Sequence, residues 1–459
     1  MLREVSGSHA YSNLVLPPML RHRGITGRDA AFATELTYGA LRMQRRYDLI
    51  ISEAAGRAPA DIDAPVLDLL RLGAHQLLAM RVPDHAAVSE TVGLARARLG
   101  AGPAKFVNAV LRQVAQVPLT EWLERLGAAQ PDPVERLAAV QSHPGWVARA
   151  LGQALAAEGR ESELELLLVA DNAAPAVTLV ARPGLVSRAD LQAAVPGSVP
   201  GRWTPTAVVV DRGDPAGVAA VRQGLAGVQD EGSQLVTLAL LEVDVGPDLR
   251  WLDLTAGPGG KTALLGAVAS QRGAQVVAIE VQPHRALLVE RAVAALPPGV
   301  VQVRCGDGRD LGRAEPGSYD RVLVDAPCTG LGALRRRPEA RWRRAPGDLP
   351  ALSKLQRELL GSALDAVRPG GVVAYVTCSP HVAETTFLVR DVLKARDDVV
   401  QLDARQAVRA VAGTAIPLGA GPAVQLWPHV HGTDAMYLAL LRRLGAGESS
   451  PPHLPDPSD

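Results

Sequence analysis

The sequence predicts an all-α region, then a small α+β insert, then an α/β domain on a doubly wound, mostly parallel sheet. Three observations carry this prediction. Residues 1 to about 130 have helical periodicity and little else. From Trp251 onward short apolar runs alternate with helical segments, the mark of a parallel sheet covered on both faces. Successive apolar runs then end on a glycine-rich loop, Glu280, Asp307 and Asp325, at the carboxyl ends where such sheets hold their ligands.

Composition sets outer bounds. With 459 residues, 47% hydrophobic and 21% charged, the chain is globular and long enough for more than one core. Lys plus Arg and Asp plus Glu both number 48, so binding to nucleic acid would have to come from local basic patches. Cys305, Cys328 and Cys378 are far apart and without paired histidines, which suits neither a disulfide framework nor zinc, and no metal is expected. No basic stretch followed by an apolar leader opens the sequence, and no uncharged apolar run matches a bilayer. A reduced, cytoplasmic protein without a membrane partner is therefore expected.

In chain order, Ala30–Arg42 places Phe32, Leu36, Gly39 and Ala40 on one face and leads into Arg42, Arg45 and Arg46. Pro65–Arg81 is an amphipathic helix opened by Pro65, and His85–Arg98 and Lys105–Val114 are two more. The expected divisions are an all-α domain over 1–130, a helical linker and small α+β subdomain over 131–240, the α/β domain over 241–445 and a disordered tail over 446–459. Within the second division, Ala176–Ala181 and Ala207–Val210 read as strands around a short helix at Arg188–Ala194.

In the α/β domain, the strand Arg250–Leu254 leads into Thr255, Ala256, Gly257, Pro258, Gly259, Gly260 and Lys261 and then a helix. The P-loop pattern would need glycine at position 255, and the spacing does not fit the dinucleotide fingerprint. The glycines still let backbone approach a ligand before a helix N-terminus. Val276–Glu280 ends on an acid suited to ribose hydroxyls, and Val301–Arg304 leads to Asp307, suited to an adenine amino group. An adenosine ligand without phosphate fits this order, and S-adenosylmethionine is the expected cofactor. Cys305 is expected in the core.

Arg321–Val324 is the fourth strand and Asp325–Gly330 the turn that ends it; the fifth, Val372–Val376, follows a turn at 369–371 and ends at Cys378. The turns thus offer Asp325 and two thiols, Cys328 and Cys378, and spacing does not choose between the thiols. Lys261 opens a helix within reach of a ligand, or else makes an ion pair. Directly after the turn, Arg335, Arg336, Arg337, Arg341, Trp342, Arg343 and Arg344 form a basic run around an aromatic ring, which suits phosphate contacts and stacking on an unpaired base.

These motifs resemble the RsmB (Sun, Fmu) family of bacterial ribosomal RNA cytosine-C5 methyltransferases, over nearly the whole chain. D-L-T-A-G-P-G-G-K-T at 253–262 is similar to the family's cofactor loop, D-A-P-C-T-G at 325–330 to its D-A-P-C-S-G, and Y-V-T-C-S-P at 375–380 to its Y-S-T-C-S. V-Q-D-E-G-S-Q at 228–234 and the segment from Pro428 to Asp434 are similar to its opening and closing segments. A-F-A-T-E-L-T-Y-G-A-L-R at 31–42 and K-F-V-N-A-V-L-R at 105–112 resemble the NusB-like domain fused in front. Thr255 and Gly257 depart from the Cys and Ala common in the loop.

The resemblance implies an N-terminal NusB-like RNA-binding domain and a Rossmann-like methyltransferase domain. It further implies S-adenosylmethionine held by residues 255–261, Glu280, Asp307 and Asp325, and an unpaired cytosine of RNA as substrate. It makes Cys378 the nucleophile that adds to cytosine C6, gives Cys328 a part in product release or as a base, and sets Asp325 against the cytosine edge. A monomer is expected, with small-subunit ribosomal RNA as the target. Transfer RNA, or a relic RNA-binding factor without catalysis, are the alternatives.

Overall fold

The computed structural model describes residues 1–7, 11–210, 214–413 and 415–445. The tail expected to be disordered, 446–459, lies outside them. The chain forms two units: one comprises Met1–Ala174 with Ala333–Pro346, the other Pro175–Gly332 with Gly347–Asp459. Among the described residues no helix is long and apolar enough to cross a membrane.

The first unit is all helical. Its principal helices are Gly27–Arg42, Gln44–Ala55, Ala64–Ala79, Asp84–Leu99 and Ala101–Gln116. Their apolar stripes meet in a core of Tyr47, Ile50, Ile51, Leu70 and Leu111, joined by Trp122 of the helix Leu119–Ala128, as helical periodicity requires. Gly39 is glycine because a Cβ there would strike the His75 ring, whose Nδ1 is bonded to the Tyr47 hydroxyl at 2.7 Å. The stretch expected as a linker is part of this packing: the helices Pro133–Val140, Gly145–Ala156 and Leu164–Asn172 belong to the same unit. Arg45 reaches Glu135 at 3.0 Å and Arg46 bonds the Val140 carbonyl.

The second unit holds two sheets. The strands β1 (Val177–Ala181), β2 (Val199–Pro200), β3 (Ala207–Val210) and β4 (Ala226–Val228) pair antiparallel in the order β2-β3-β1-β4. With helices after β1 and β3, this is a split β-α-β-β-α-β arrangement. One face packs Leu179, Ala181, Val208 and Val210 against its own helices. Val180 on the other face joins the core of the larger sheet beside Leu235 and Leu238, so that face is already covered.

The larger sheet comprises β5 (Arg250–Asp253), β6 (Gln275–Glu280), β7 (Val301–Cys305), β8 (Tyr319–Asp325), β9 (Val367–Thr377), β10 (Val399–Leu402), β11 (Val424–Gln425) and β12 (Tyr437–Arg443). Its order is β10-β12-β9-β8-β5-β6-β7, with β11 against β12. From β7 to β9 the pairs are parallel; β12 runs antiparallel to β9 and β10. The chain builds outward from β5 through β6 and β7, then returns to place β8 on the other side. That reversal between β5 and β8 is where an open α/β sheet leaves a crevice.

Two local expectations are corrected. Residues 369–371, expected as a turn, lie within β9, which carries a register irregularity against β8 between Tyr319 and Arg321. Cys305, expected in the core, is exposed, because β7 is the edge strand and so lacks a neighbour on that side.

Candidate active site

The loop after β5 is shaped by Gly257 and Gly259, whose positions admit nothing larger. Gly259 has φ +106, a backbone region that L side chains rarely adopt, and a Cβ there would meet Ala292 Cβ at 2.7 Å and Val289 Cα at 2.9 Å. A Cβ on Gly257 would strike Glu280 Oε2, whereas one on Gly260, the first residue of the helix Gly260–Arg272, would meet only open space. Gly259→Ala is expected to cost about 1–3 kcal/mol, read as a lower urea midpoint; an unchanged midpoint would show that the loop yields easily.

The acids fall at the strand ends in the expected order, each with a partner. Glu280, 4% exposed, accepts the Gln282 N–H at 2.9 Å and lies 3.6 Å from the Arg285 guanidinium. Arg285 also donates to the Gly257 carbonyl at 2.6 Å, tying this helix to the loop. Asp307 caps the helix Gly308–Ala314 through Arg309 N–H and takes the Arg309 guanidinium at 2.6 Å. The hydrogen bonds from Arg309 hold its carboxyl below the usual range.

Between β5 and β8 the polar groups converge. Lys261 Nζ lies 2.7 Å from Asp325 Oδ2, and Thr255 Oγ1 donates to the Asp325 carbonyl at 3.0 Å. Burial alone would lower the Lys261 ammonium, but the charges of Asp325, Cys378 and Asp253 raise it instead. Asp253, 1% exposed, accepts from Thr262 Oγ1 at 2.7 Å. Burial, with Asp325 behind it, pushes the Asp253 carboxyl up to about 7, against the pull of Thr262 and Lys261.

The two cysteines meet one strand over. Cys328 Sγ, on the turn after β8, is 3.4 Å from Cys378 Sγ, just past β9. The hydrogen bond with Cys378 is the largest influence on Cys328. Burial and the charges of Cys378 and Glu384 add to it, and the Cys328 thiol is raised well above its ordinary value. Gly332 donates to the Cys378 carbonyl at 2.9 Å and accepts from Ala435 N–H at 2.8 Å, with no room for a Cβ between them. The segment from Pro428 to Asp434 thus leads directly to the backbone that positions Cys378, and Asp434 N–H bonds Asp230 at 3.1 Å.

One buried residue was not singled out in the sequence. Glu384, wholly inaccessible, accepts from Thr329 N–H at 2.9 Å, Thr329 Oγ1 at 2.5 Å and Gln356 Nε2 at 3.0 Å. The only sequence signal for it is an acid six residues beyond Cys378.

The basic run departs from its expected role. It belongs to the helical unit, where Arg341 is wholly buried and Arg335 nearly so. Arg341 donates to the Arg42 carbonyl at 3.2 Å, the Ser142 carbonyl at 3.1 Å, Asn172 Oδ1 at 2.9 Å and the Asp171 carbonyl at 3.2 Å. These acceptors sit at or just beyond the carboxyl ends of the helices Gly27–Arg42, Pro133–Val140 and Leu164–Asn172, where carbonyls lack helical partners and carry partial negative charge. Trp342 Nε1 donates to the Leu41 carbonyl at 3.1 Å and Arg343 to the Val5 carbonyl at 3.0 Å. Arg337 is exposed and, like Arg343, lies over the Tyr11 ring. The Arg341 guanidinium therefore serves helix ends in its own unit and is closed to a phosphate.

Fold and site together define a Rossmann-like methyltransferase with a helical domain in front. A profile for the NusB family matches residues 1–116, and one for the 16S rRNA methyltransferase RsmB/F matches residues 239–442. Ribosomal RNA small subunit methyltransferase B of Pseudomonas putida is 32% identical over 452 residues, covering 97% of each chain. The protein Rv1407 of Mycobacterium tuberculosis is 55% identical over 447 residues, 96% of this chain and 95% of its own. The chain belongs to the RsmB (Sun) family of ribosomal RNA small subunit methyltransferases. The crystal structure of PH0851 superimposes with a TM-score of 0.74 at 22% identity, covering 92% of this chain and 93% of that one, and shares its fold.

Proposed function

We propose that this chain transfers a methyl group to C5 of a cytosine in small-subunit ribosomal RNA, through a covalent bond from Cys378 to C6. The observation that carries the reading is the pair of sulfurs 3.4 Å apart, one strand from the Lys261–Asp325 ion pair. Cytosine C5 is a poor nucleophile until a thiolate adds at C6, so the chemistry needs one sulfur as thiolate and a group to help undo the adduct. The hydrogen bond to Cys378 and burial raise the Cys328 thiol. That suits Cys328 to release rather than attack: with Cys378 attacking, a base takes the C5 proton, the C6–S bond breaks with Cys378 leaving as thiolate, and the Cys328 proton lies within reach of that thiolate.

S-adenosylmethionine would supply the methyl group. Open space over Gly260 and the lone pairs left on Glu280 suit its backbone-held end and its ribose. Residues 255–261, Asp307 and Asp325 complete that reading, with Asp307 turning from Arg309 to the adenine. Asp325, released from Lys261, would bind the cytosine N3/N4 edge and stabilise charge developing in the ring. A base held against these thiols has to be unpaired or extruded. The exposed Arg337, with Arg336, Arg343 and Arg344, remains the proposed phosphate contact of the basic run.

Bisulfite sequencing of total RNA from a deletion strain tests the proposal. One small-subunit cytosine should change from protected to converted. Loss of protection in transfer RNA alone would move the substrate, and no change in any RNA would overturn the proposal. Calorimetric titration with S-adenosylmethionine separates catalysis from the relic reading, in which no heat of binding is expected.

A further inference from the structure

Glu384 brings a buried carboxylate to the two-cysteine site from outside both cysteine turns. Its three side-chain donors, Thr329 N–H, Thr329 Oγ1 and Gln356 Nε2, are all neutral. Thr329 directly follows Cys328, and Ser379 directly follows Cys378. Their hydroxyls lie 2.9 Å apart. Because Glu384 takes the Thr329 hydroxyl proton, the Ser379 hydroxyl has to donate to Thr329, while Ser379 accepts His381 N–H at 3.3 Å. The hydrogen bonds thus run in one direction, from the Cys378 turn through the Cys328 turn to the carboxylate.

The carboxylate is itself held from two sides. Gln356, on the helix Leu349–Ala366, also donates to the Pro327 carbonyl at 2.8 Å, and the Tyr375 hydroxyl donates to the Glu384 carbonyl at 2.8 Å. Thr329 is therefore bonded to the buried acid directly, Ser379 through Thr329 and the Pro327 carbonyl through Gln356.

We propose that Glu384 is a positioning residue for the two-cysteine site, fixing through Thr329 the turn that carries Cys328 at hydrogen-bond distance from Cys378. This rests on the cysteine chemistry proposed above. Its charge has a second effect: with burial and Cys378 it holds Cys328 protonated. The titratable groups around Cys328 are Cys378 and Tyr375 on the β9 side and Glu384 beyond them, with Asp325 on its own turn paired to Lys261.

The test uses full-length protein carrying Cys378→Ser, so that Cys328 titrates without its sulfur neighbour, with and without Glu384→Gln. Alkylation of the Cys328 peptide by iodoacetamide is followed across pH by mass spectrometry. Removing the charge should lower the half-reaction pH of Cys328 by about 1 unit; an unmoved profile overturns the proposal. With both cysteines present, Glu384→Gln should lower kcat about tenfold or more with KM for RNA nearly unchanged. Glu384→Ala should lower kcat further, giving partial rescue by the isosteric amide. Equal kcat in all three proteins would also overturn the proposal. Should the alanine variant fail to fold, the glutamine variant alone decides. Failure of Cys328→Ala to trap RNA would refute the cysteine chemistry while leaving this titration readable.

Discussion

Cys378→Ala is expected to abolish methyl transfer to RNA, by roughly a thousandfold or more, because in the proposed mechanism it is the sulfur that attacks C6. Cys328→Ala is expected to leave attack intact and stop release, so that a covalent RNA–protein complex accumulates and survives a denaturing gel. The two outcomes differ because the sulfurs differ. They are 3.4 Å apart, and the Cys328 thiol is raised by its hydrogen bond to Cys378, by burial and by nearby negative charge. On the proposed roles, replacing Cys378 removes the adduct-forming atom, whereas replacing Cys328 removes the neighbour that helps undo the adduct. A complex seen with Cys378→Ala and absent with Cys328→Ala would reverse the roles. Full activity in Cys378→Ala would end the proposal.

The largest stability effect is expected at Arg341. Burial lowers its guanidinium to about 10, which leaves it charged at neutral pH, and it serves four acceptors at the ends of three helices. Arg341→Ala would strand three backbone carbonyls and the Asn172 amide oxygen and leave Asp171, which is 1% exposed, without the cation that faces it. A loss of about 3–5 kcal/mol is expected, read from thermal or urea unfolding followed by circular dichroism. Arg337→Ala, exposed in the same run, should stay within about 0.5 kcal/mol. Equal stability of the two variants would contradict the burial.

The strands β5 to β9 were legible because each is a short apolar run ending in a residue with chemistry, and strand ends are where an α/β sheet displays such residues. β11 and β12 were not legible in that way: β11 has two residues, and β12 is antiparallel, with no motif at its end. Cys305 was misplaced because its apolar strand is the sheet edge, a fact of strand order that no local pattern carries. Glu384 went unseen because its partners, Thr329 and Gln356, are 55 and 28 residues away and are chosen by packing. The arginine run shows the same limit from the other side. Sequence displays the cations but not which way they turn, and Arg341 turns toward helix ends in its own unit.

The path of the chain through its two units has a consequence for synthesis. The helical unit takes in Ala333–Pro346 as well as the first 174 residues, and Arg341 supplies donors at three of its helix ends. During translation those ends wait, uncapped, while β1 to β8 are being made. Arg341 reaches those ends only once the ribosome has passed β8. In this protein the last residues of the amino-terminal unit are made only after β8 of the other unit.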